Sequence, residues 1–437
     1  MRPLGTVWEH LILGNLRLFG TWCLGFGISA LIFLLPAAAM ADEFRLMPSV
    51  ALKEEYNDNI YLDVRNQTRD FITTTSPGLE VYDKTERFEA TLTGRLASLL
   101  YADNTGLDHI DQSYTGNATY QFTPRLLVRG NGGYTVDSRP DRLLLTTGLV
   151  LSSSIRHVDT YAGSVEYSLN ERSALAGSYS YEQDRWSRTT IPDFEGQTAQ
   201  LSYIHDISSM VKNTKARATL TYNKYSFTYG GSSSIPVESY SATVGATYAL
   251  NEKFAASVDA GVVRTTSDVT HLQLVPVGPF TLVFRDQGTE ADVAPMATGS
   301  LRYSGEKSNA EISAGHQVLP AMGSAGTTNR TSFTFNASHR FTWELSGTFA
   351  YEYYDNKSTQ SGIGVSNIDY QTFRIAPGLR YEFTRDFFLE GSYAFTRIYN
   401  NAANTTSLGL TTNGPSHTTA TRNQFMLSLT YKHRMFE

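Results

Sequence analysis

From residue 42 onward, apolar and polar residues alternate singly in segments of roughly ten to fourteen, the period-2 signature of strands with two unlike faces. Between Trp343 and Tyr353, one face carries Leu345, Gly347, Phe349, Tyr351 and Tyr353, and the other carries Glu344, Ser346, Thr348 and Glu352. Phe387, Leu389, Gly391, Tyr393, Phe395 and Tyr399 oppose Glu390, Ser392 and Thr396 in the same way. Tyr114, Gly116, Ala118, Tyr120 and Phe122 oppose Ser113, Thr115, Asn117 and Gln121. Aromatic residues gather toward the ends of each apolar stripe, with Gly, Ala, Val and Leu between them. A strand that crosses a bilayer meets two interfaces, and an aromatic girdle marks each.

The segments number about eighteen, within a range of about sixteen to twenty, and the connections between them alternate in length. Short ones include Asp83-Lys84-Thr85, Thr123-Pro124, Asn251-Glu252 and Thr384-Arg385; long ones cover 57–70, 138–156, 267–289, 356–368 and 400–420. Several strands enter their short turn through one form, aromatic-x-apolar-Thr/Asn, as in Tyr120 to Thr123, Tyr167 to Asn170, Tyr248 to Asn251, His339 to Thr342 and Tyr381 to Thr384. The pattern predicts an all-β fold: a closed antiparallel transmembrane β-barrel with short periplasmic turns, long extracellular loops and both ends on the short-turn side. A soluble sandwich also alternates. Eighteen strands, however, close into a wall too wide for one layer of side chains to fill, so the interior must be wet. No stretch after residue 41 approaches the length of apolar chain that a membrane-crossing helix needs.

Residues 1–41 read differently. Arg2 and Arg17 precede an uncharged run from Leu18 to Pro36, and Ala39 and Ala41 supply the small residues of an A-x-A cleavage site. The expected division is a cleaved signal peptide over 1–41 and a single outer-membrane barrel over 42–437. The only cysteine, Cys23, falls in the first part, which excludes a disulfide scaffold and a thiolate metal site. Aromatics make up 12% of the chain, and all 26 tyrosines follow residue 41, which argues against disorder. A net charge of −6 excludes an ordinary nucleic-acid surface.

The face opposite the apolar stripe carries the charges expected to line the lumen: Arg87, Glu89, Arg95, Arg125, Arg129, Glu166, Glu182, Lys215, Arg217, Asp259, Arg302, Glu311, Arg340, Glu344, Glu352, Arg374, Arg380 and Glu390. Both signs are present, so strong ion selectivity is not expected, and an ion pair between neighbouring strands is the favoured role for any one of them. Two long connections are unusually apolar: 143–151, with Leu143, Leu145 and Leu149, and 272–284, with Val275, Phe280 and Phe284. Each is either a gate folded into the lumen or a hairpin extending its strands, and the extension is favoured because apolar β-rich segments around a turn pair with themselves. The histidines are scattered and no Gly-x-Ser-x-Gly elbow occurs, so no enzyme is expected; His157 and His205 read as strand-end residues at an interface. Glu182 and Asp184 share one strand face and read as wall ion-pair partners in place of a calcium site. No cofactor or metal is expected. The expected partners are outer-membrane lipid and the barrel-insertion machinery. A surface-interaction barrel with no open pore is the alternative to a channel.

Pro48-Ser49-Val50-Ala51-Leu52-Lys53-Glu54-Glu55-Tyr56-Asn57-Asp58-Asn59-Ile60-Tyr61 resembles the opening of the putative β-barrel porin 2 family, where a Pro-led strand runs into Glu-Tyr-x-Asp-Asn-Ile/Val-aromatic. Pro77-Gly78-Leu79 and Pro377-Gly378-Leu379 are similar to strand motifs of that family. The resemblance implies an outer-membrane barrel, often tied to exopolysaccharide synthesis and export, with polysaccharide and periplasmic export components as further partners. One departure concerns the end of the chain: such barrels commonly finish on an aromatic residue, whereas here Glu437 follows Phe436, which is out of phase with the outward stripe of the last strand.

Overall fold

The computed structural model describes residues 43–147, 154–230, 233–277, 280–359, 368–401, 403–405, 411–415 and 418–435, with backbone alone at 233 and over 269–277, 280–287, 403–405 and 411–415. The segment expected to be a signal peptide, Leu149, and Phe436-Glu437 lie outside the described residues. The strands are β1 (Glu43–Asn57), β2 (Asp70–Lys84), β3 (Phe88–Tyr101), β4 (His109–Thr123), β5 (Leu126–Asp137), β6 (Arg156–Asn170), β7 (Ser173–Trp186), β8 (Asp193–Asp206), β9 (Thr214–Tyr229) and β10 (Ser233–Ala249). They continue with β11 (Phe254–Val277), β12 (Phe280–Ser304), β13 (Ser308–Pro320), β14 (Thr327–Arg340), β15 (Leu345–Ser358), β16 (Asp369–Glu382), β17 (Phe387–Asn400), β18 (Ala403–Thr405), β19 (Thr411–Pro415) and β20 (Thr418–Lys432). All but β18 and β19 join one 18-stranded antiparallel sheet in chain order, and β1 pairs with β20 from Ser49↔Lys432 to Asn57↔Gln424. That last ladder closes the sheet and removes its edges. The expected all-β barrel is the observed one.

Alternation sorts side chains to the two faces of this wall. Val244, Val258 and Leu220 point outward and are more than half exposed, as a lipid-facing surface requires. Outward aromatics form two rings. Near the short turns stand the pairs Tyr120–Phe122, His339–Phe341 and Tyr381–Phe383; nearer the long loops stand Tyr56–Phe71, Tyr114–Tyr134 and Tyr222–Tyr240. The rings are six to eight residues apart along a strand, as from Tyr114 to Tyr120 or Tyr240 to Tyr248. With a rise of about 3.3 Å per residue and a tilt near 40°, that spans roughly 15–20 Å of membrane.

The short turns explain the repeated Thr/Asn. Thr123 Oγ1 accepts from the backbone N–H of Arg125 and Leu126, Asn251 Oδ1 from Lys253 and Phe254, Thr342 Oγ1 from Glu344 and Leu345, and Thr384 Oγ1 from Asp386 and Phe387. Asn170 Oδ1 takes the N–H of Arg172. A side-chain acceptor two or three residues back satisfies donors that a tight turn leaves without ladder partners.

Both Pro-Gly-Leu motifs lie in mid-strand. Pro77 pairs with Val50 on β1 and Pro377 with Phe349 on β15, but the ladders to the following strands skip from Thr75 to Gly78 and from Ile375 to Gly378 with no change of register. Proline has no N–H to give that side, so one ladder pauses while the other runs on.

Two connections depart from the expected layout. The 267–289 loop is mostly strand, since β11 and β12 pair continuously up to Val277↔Phe280; residues 272–284 are therefore the hairpin extension favoured above, with residues 278–279 outside the described set. The 400–420 loop carries a small hairpin of its own, β18 with β19.

Candidate functional site: the lumen and its crossing segment

The charges expected inside are mostly wall ion pairs. Ten of the named residues form five cross-strand pairs on the inward face: Arg129–Glu166 at 3.2 Å, Arg217–Asp259 at 2.6 Å, Arg302–Glu311 at 2.9 Å, Arg374–Glu352 at 3.1 Å and Arg380–Glu390 at 3.3 Å. Arg217 and Asp259 are not on neighbouring strands. They meet over Gly245 of β10, which pairs with both, and a Cβ there would lie 2.0 Å from Asp259 Oδ1. The missing side chain is what lets the pair bridge three strands.

Glu89, Arg95 and Lys215 also face inward, on β3 and β9. Arg87, Arg125 and Glu344 belong to the short turns, where their carbonyls accept from Gln121, Ser168 and Glu382. Arg340 lies over the ring of Trp343, 4.8 Å from its centroid, at the same rim. Glu182 points inward one step from Asp184, whose carboxylate takes the Arg156 guanidinium at 2.8 Å, so this carboxylate pair is part of the wall. His205 Nδ1 lies 2.9 Å from Ser173 Oγ and His339 Nδ1 2.7 Å from Ser308 Oγ, one outward cross-strand arrangement repeated at the short-turn rim. His157 Nδ1 lies 3.1 Å from Tyr134 Oη.

At the opposite rim the favoured expectation fails for one loop. Residues 139–147 do not extend β5 and β6 as a hairpin; they fold inward as consecutive turns, with the N–H groups of Thr146 and Thr147 both donating to the Leu143 carbonyl. Their partners fan round the wall. Arg139 reaches Glu55 of β1 at 2.8 Å, and Asp141 reaches Arg422 of β20 at 2.7 Å. Arg330 of β14 donates to the carbonyls of Leu145 and Thr146, the latter at 2.9 Å, while lying over the Tyr354 ring. In an 18-strand ring, β14 stands nine positions from β5, directly across the lumen. The segment crosses the lumen.

Apolar contacts fill in around these charges. Leu143 is fully buried with Trp186, Ile191 and Met322. Leu144 packs with Leu62, Ile398 and Ala420, flanked by Leu145 and Tyr370. A neighbouring inward cluster joins Phe194, Phe227, Ile235 and Val237 to Ala325 of the 321–326 connection. The reason for folding inward is now visible: a hairpin would leave Leu143 and Leu144 in water, whereas two waiting apolar clusters take them at roughly 1.5–3 kcal/mol each. Arg142 staples the root of the segment, donating to the carbonyls of Asp137 and Ser154 and lying 5.0 Å from the Trp186 ring centroid.

Burial alone would raise the Asp141 carboxyl, yet the guanidiniums of Arg422 and Arg139 hold it well below the usual carboxylate range. Its contribution is therefore complete above the ordinary carboxylate value of about 4 and is lost only as pH falls through the lowered one. Glu55, Arg139, Asp141, Arg330 and Arg422 escaped the reading of the sequence. One signal was present, because Glu55 sits in the stretch that carries the family resemblance, and that stretch knits the mouth together. Glu55 takes Arg139 and Gln424, Asp58 takes the backbone and side-chain N–H of Asn423, and Asn59 donates to the Thr421 carbonyl. Tyr56 joins the outer girdle, and Ile60 is buried with Ile72, Leu99 and Tyr101.

A closed wall with an apolar exterior, two aromatic rings and a polar, charge-paired interior defines a porin-like outer-membrane β-barrel. The family model described as Putative beta-barrel porin 2 matches residues 37–143, which bears out the resemblance read from Pro48 to Tyr61. No curated protein matches the sequence. Among solved structures, the chain is similar to the ferric-catecholate import receptor Fiu of E. coli K12 in its open form, at 7% identity over 90% of this chain and 82% of that one, with a TM-score of 0.47. It is also similar to Pseudomonas aeruginosa OccK2 (8% identity, 91% of this chain, 100% of that one, TM-score 0.44) and OprD (11% identity, 91% and 98%, TM-score 0.41).

Proposed function

We propose that the protein is an outer-membrane pore for hydrated polysaccharide, with its short turns in the periplasm and its long loops outside the cell. The observation that carries this reading is the inward face of β7 to β13. Gln200, Ser202, Thr219, Thr221, Thr298 and Gln317 line a cavity of about 460 Å³ there, around the Arg217–Asp259 pair. Hydroxyl and amide groups exchange hydrogen bonds with sugar hydroxyls one for one, while charges already paired on the wall hold no passing group tightly. Polysaccharide as cargo is also what the family resemblance implies. No catalytic role is proposed.

The test is swelling of proteoliposomes in oligosaccharides of increasing length, using the protein and a variant lacking residues 139–147. Sugar entry that declines with chain length is the expected result. Liposomes impermeable to every sugar with both proteins would overturn the reading. One observation favours a second reading, a closed barrel acting through its long loops on a surface partner: the span of 139–147 across the mouth. Protease shaving of the loops that abolished the cellular phenotype while leaving permeability unchanged would decide for it.

A further inference from the structure

We infer that residues 139–147 form a gate, latched to the far wall by Arg330 and to the β1–β20 seam by Arg422 and Glu55, and that releasing these latches opens the pore while the barrel stays folded. The inference rests on the channel reading above. The wall does not need the segment: every ladder from β1 round to β20 runs without it, and the segment adds no strand. What holds it is of another kind. Asp141 to Arg422 and Arg139 to Glu55 are side-chain ion pairs, Arg330 binds carbonyl oxygens that water replaces readily, and Leu143 and Leu144 sit in the apolar clusters already described. Once released, Arg330 keeps the Tyr354 face beneath it and Glu55 keeps Lys53 at 2.9 Å and Gln424 at 3.0 Å, so these two wall groups retain partners, and the Asp141–Arg422 pair is the costly one to open.

The root is fastened separately. Arg142 ties together the two ends of the same connection, at Asp137 and Ser154, and the guanidiniums of Arg142 and Arg156 both lie over the Trp186 ring. A movement about this stapled root frees the distal contacts as one unit, the two-state arrangement a gate needs.

The experiment uses the full chain in planar bilayers, with heat-modifiable gel migration confirming a folded barrel for each form. Arg330→Ala releases the far-wall latch, Arg422→Ala with Arg139→Ala releases the seam latch, and Arg330→Gln provides a milder release. A Thr146→Cys/Arg330→Cys protein, bridged by a reducible bis-maleimide, closes the gate; a linker is needed because the arginine side chain holds the two backbones farther apart than a disulfide spans. Several-fold higher conductance in the released variants, and low conductance in the tethered form that rises on reduction, are expected. Equal conductance in wild type, released and tethered forms would overturn the gate and leave the channel standing. Folded barrels silent in every form would overturn the channel, and the gate with it.

Discussion

At the short-turn rim, Thr123, Asn251, Thr342 and Thr384 each cap N–H groups two and three residues ahead, so each turn is closed by its own residues and the contacts beyond it reach only the next strand or turn. At the long-loop rim, Arg422 reaches Asp141 across 281 residues of chain and Arg330 reaches Thr146 across 184. The two rims end the same strands, yet one is built from turn chemistry repeated hairpin by hairpin and the other from a single non-local assembly. The first kind fails one hairpin at a time. The second gives way as a unit, because Asp141, Arg139 and Glu55 share partners and Leu143 and Leu144 are buried only while the segment stays inward.

The contrast breaks most sharply at Arg422, which is 2% exposed. Arg422→Ala leaves Asp141 without its nearest guanidinium, a loss on the order of 3 kcal/mol for a buried pair broken on one side. The expected outcome is faster hydrogen exchange over 139–147 with protection at the 383–386 turn unchanged; equal loss at both rims would erase the distinction.

A smaller effect belongs to the wall between them. Gly245→Val drives a side chain into the Arg217–Asp259 pair, at a cost of about 1–3 kcal/mol from overpacking. It should lower the temperature at which the folded gel band is lost, and Asp259→Ala in the same chain should recover part of that loss. If the double variant is worse than the single, the pair is not what fills the space over Gly245. The smallest effect is expected at the short-turn rim. Asn251→Ala removes the acceptor for two N–H groups and should cost about 1 kcal/mol, confined to the β10–β11 turn and leaving conductance unaltered.

Much of the fold was legible because a strand's side-chain period is fixed at two. Alternation at Trp343 to Tyr353 or Tyr114 to Phe122 states which residues meet lipid, and Thr or Asn after an aromatic-x-apolar triplet states where the chain turns. The inward charges were legible as a face, and their pairing as neighbours across strands, since Arg302 and Glu311 or Arg380 and Glu390 are brought opposite by short turns alone. Arg217 with Asp259 was not, because it depends on a glycine in the strand between them.

The sequence by itself determined the wall: the strand count, its two faces, its aromatic rings and the rim of capped turns, all consequences of chemistry within a few residues. Only the tertiary structure decided what fills the mouth. Whether Leu143 and Leu144 pair with their own hairpin or cross to Ile398 and Ile191 depends on apolar surface and arginines supplied by strands up to half the barrel away. Closure brings Arg330 and Arg422 within reach of residues 139–147, and burial with charge pairing there outweighs the local preference for a hairpin.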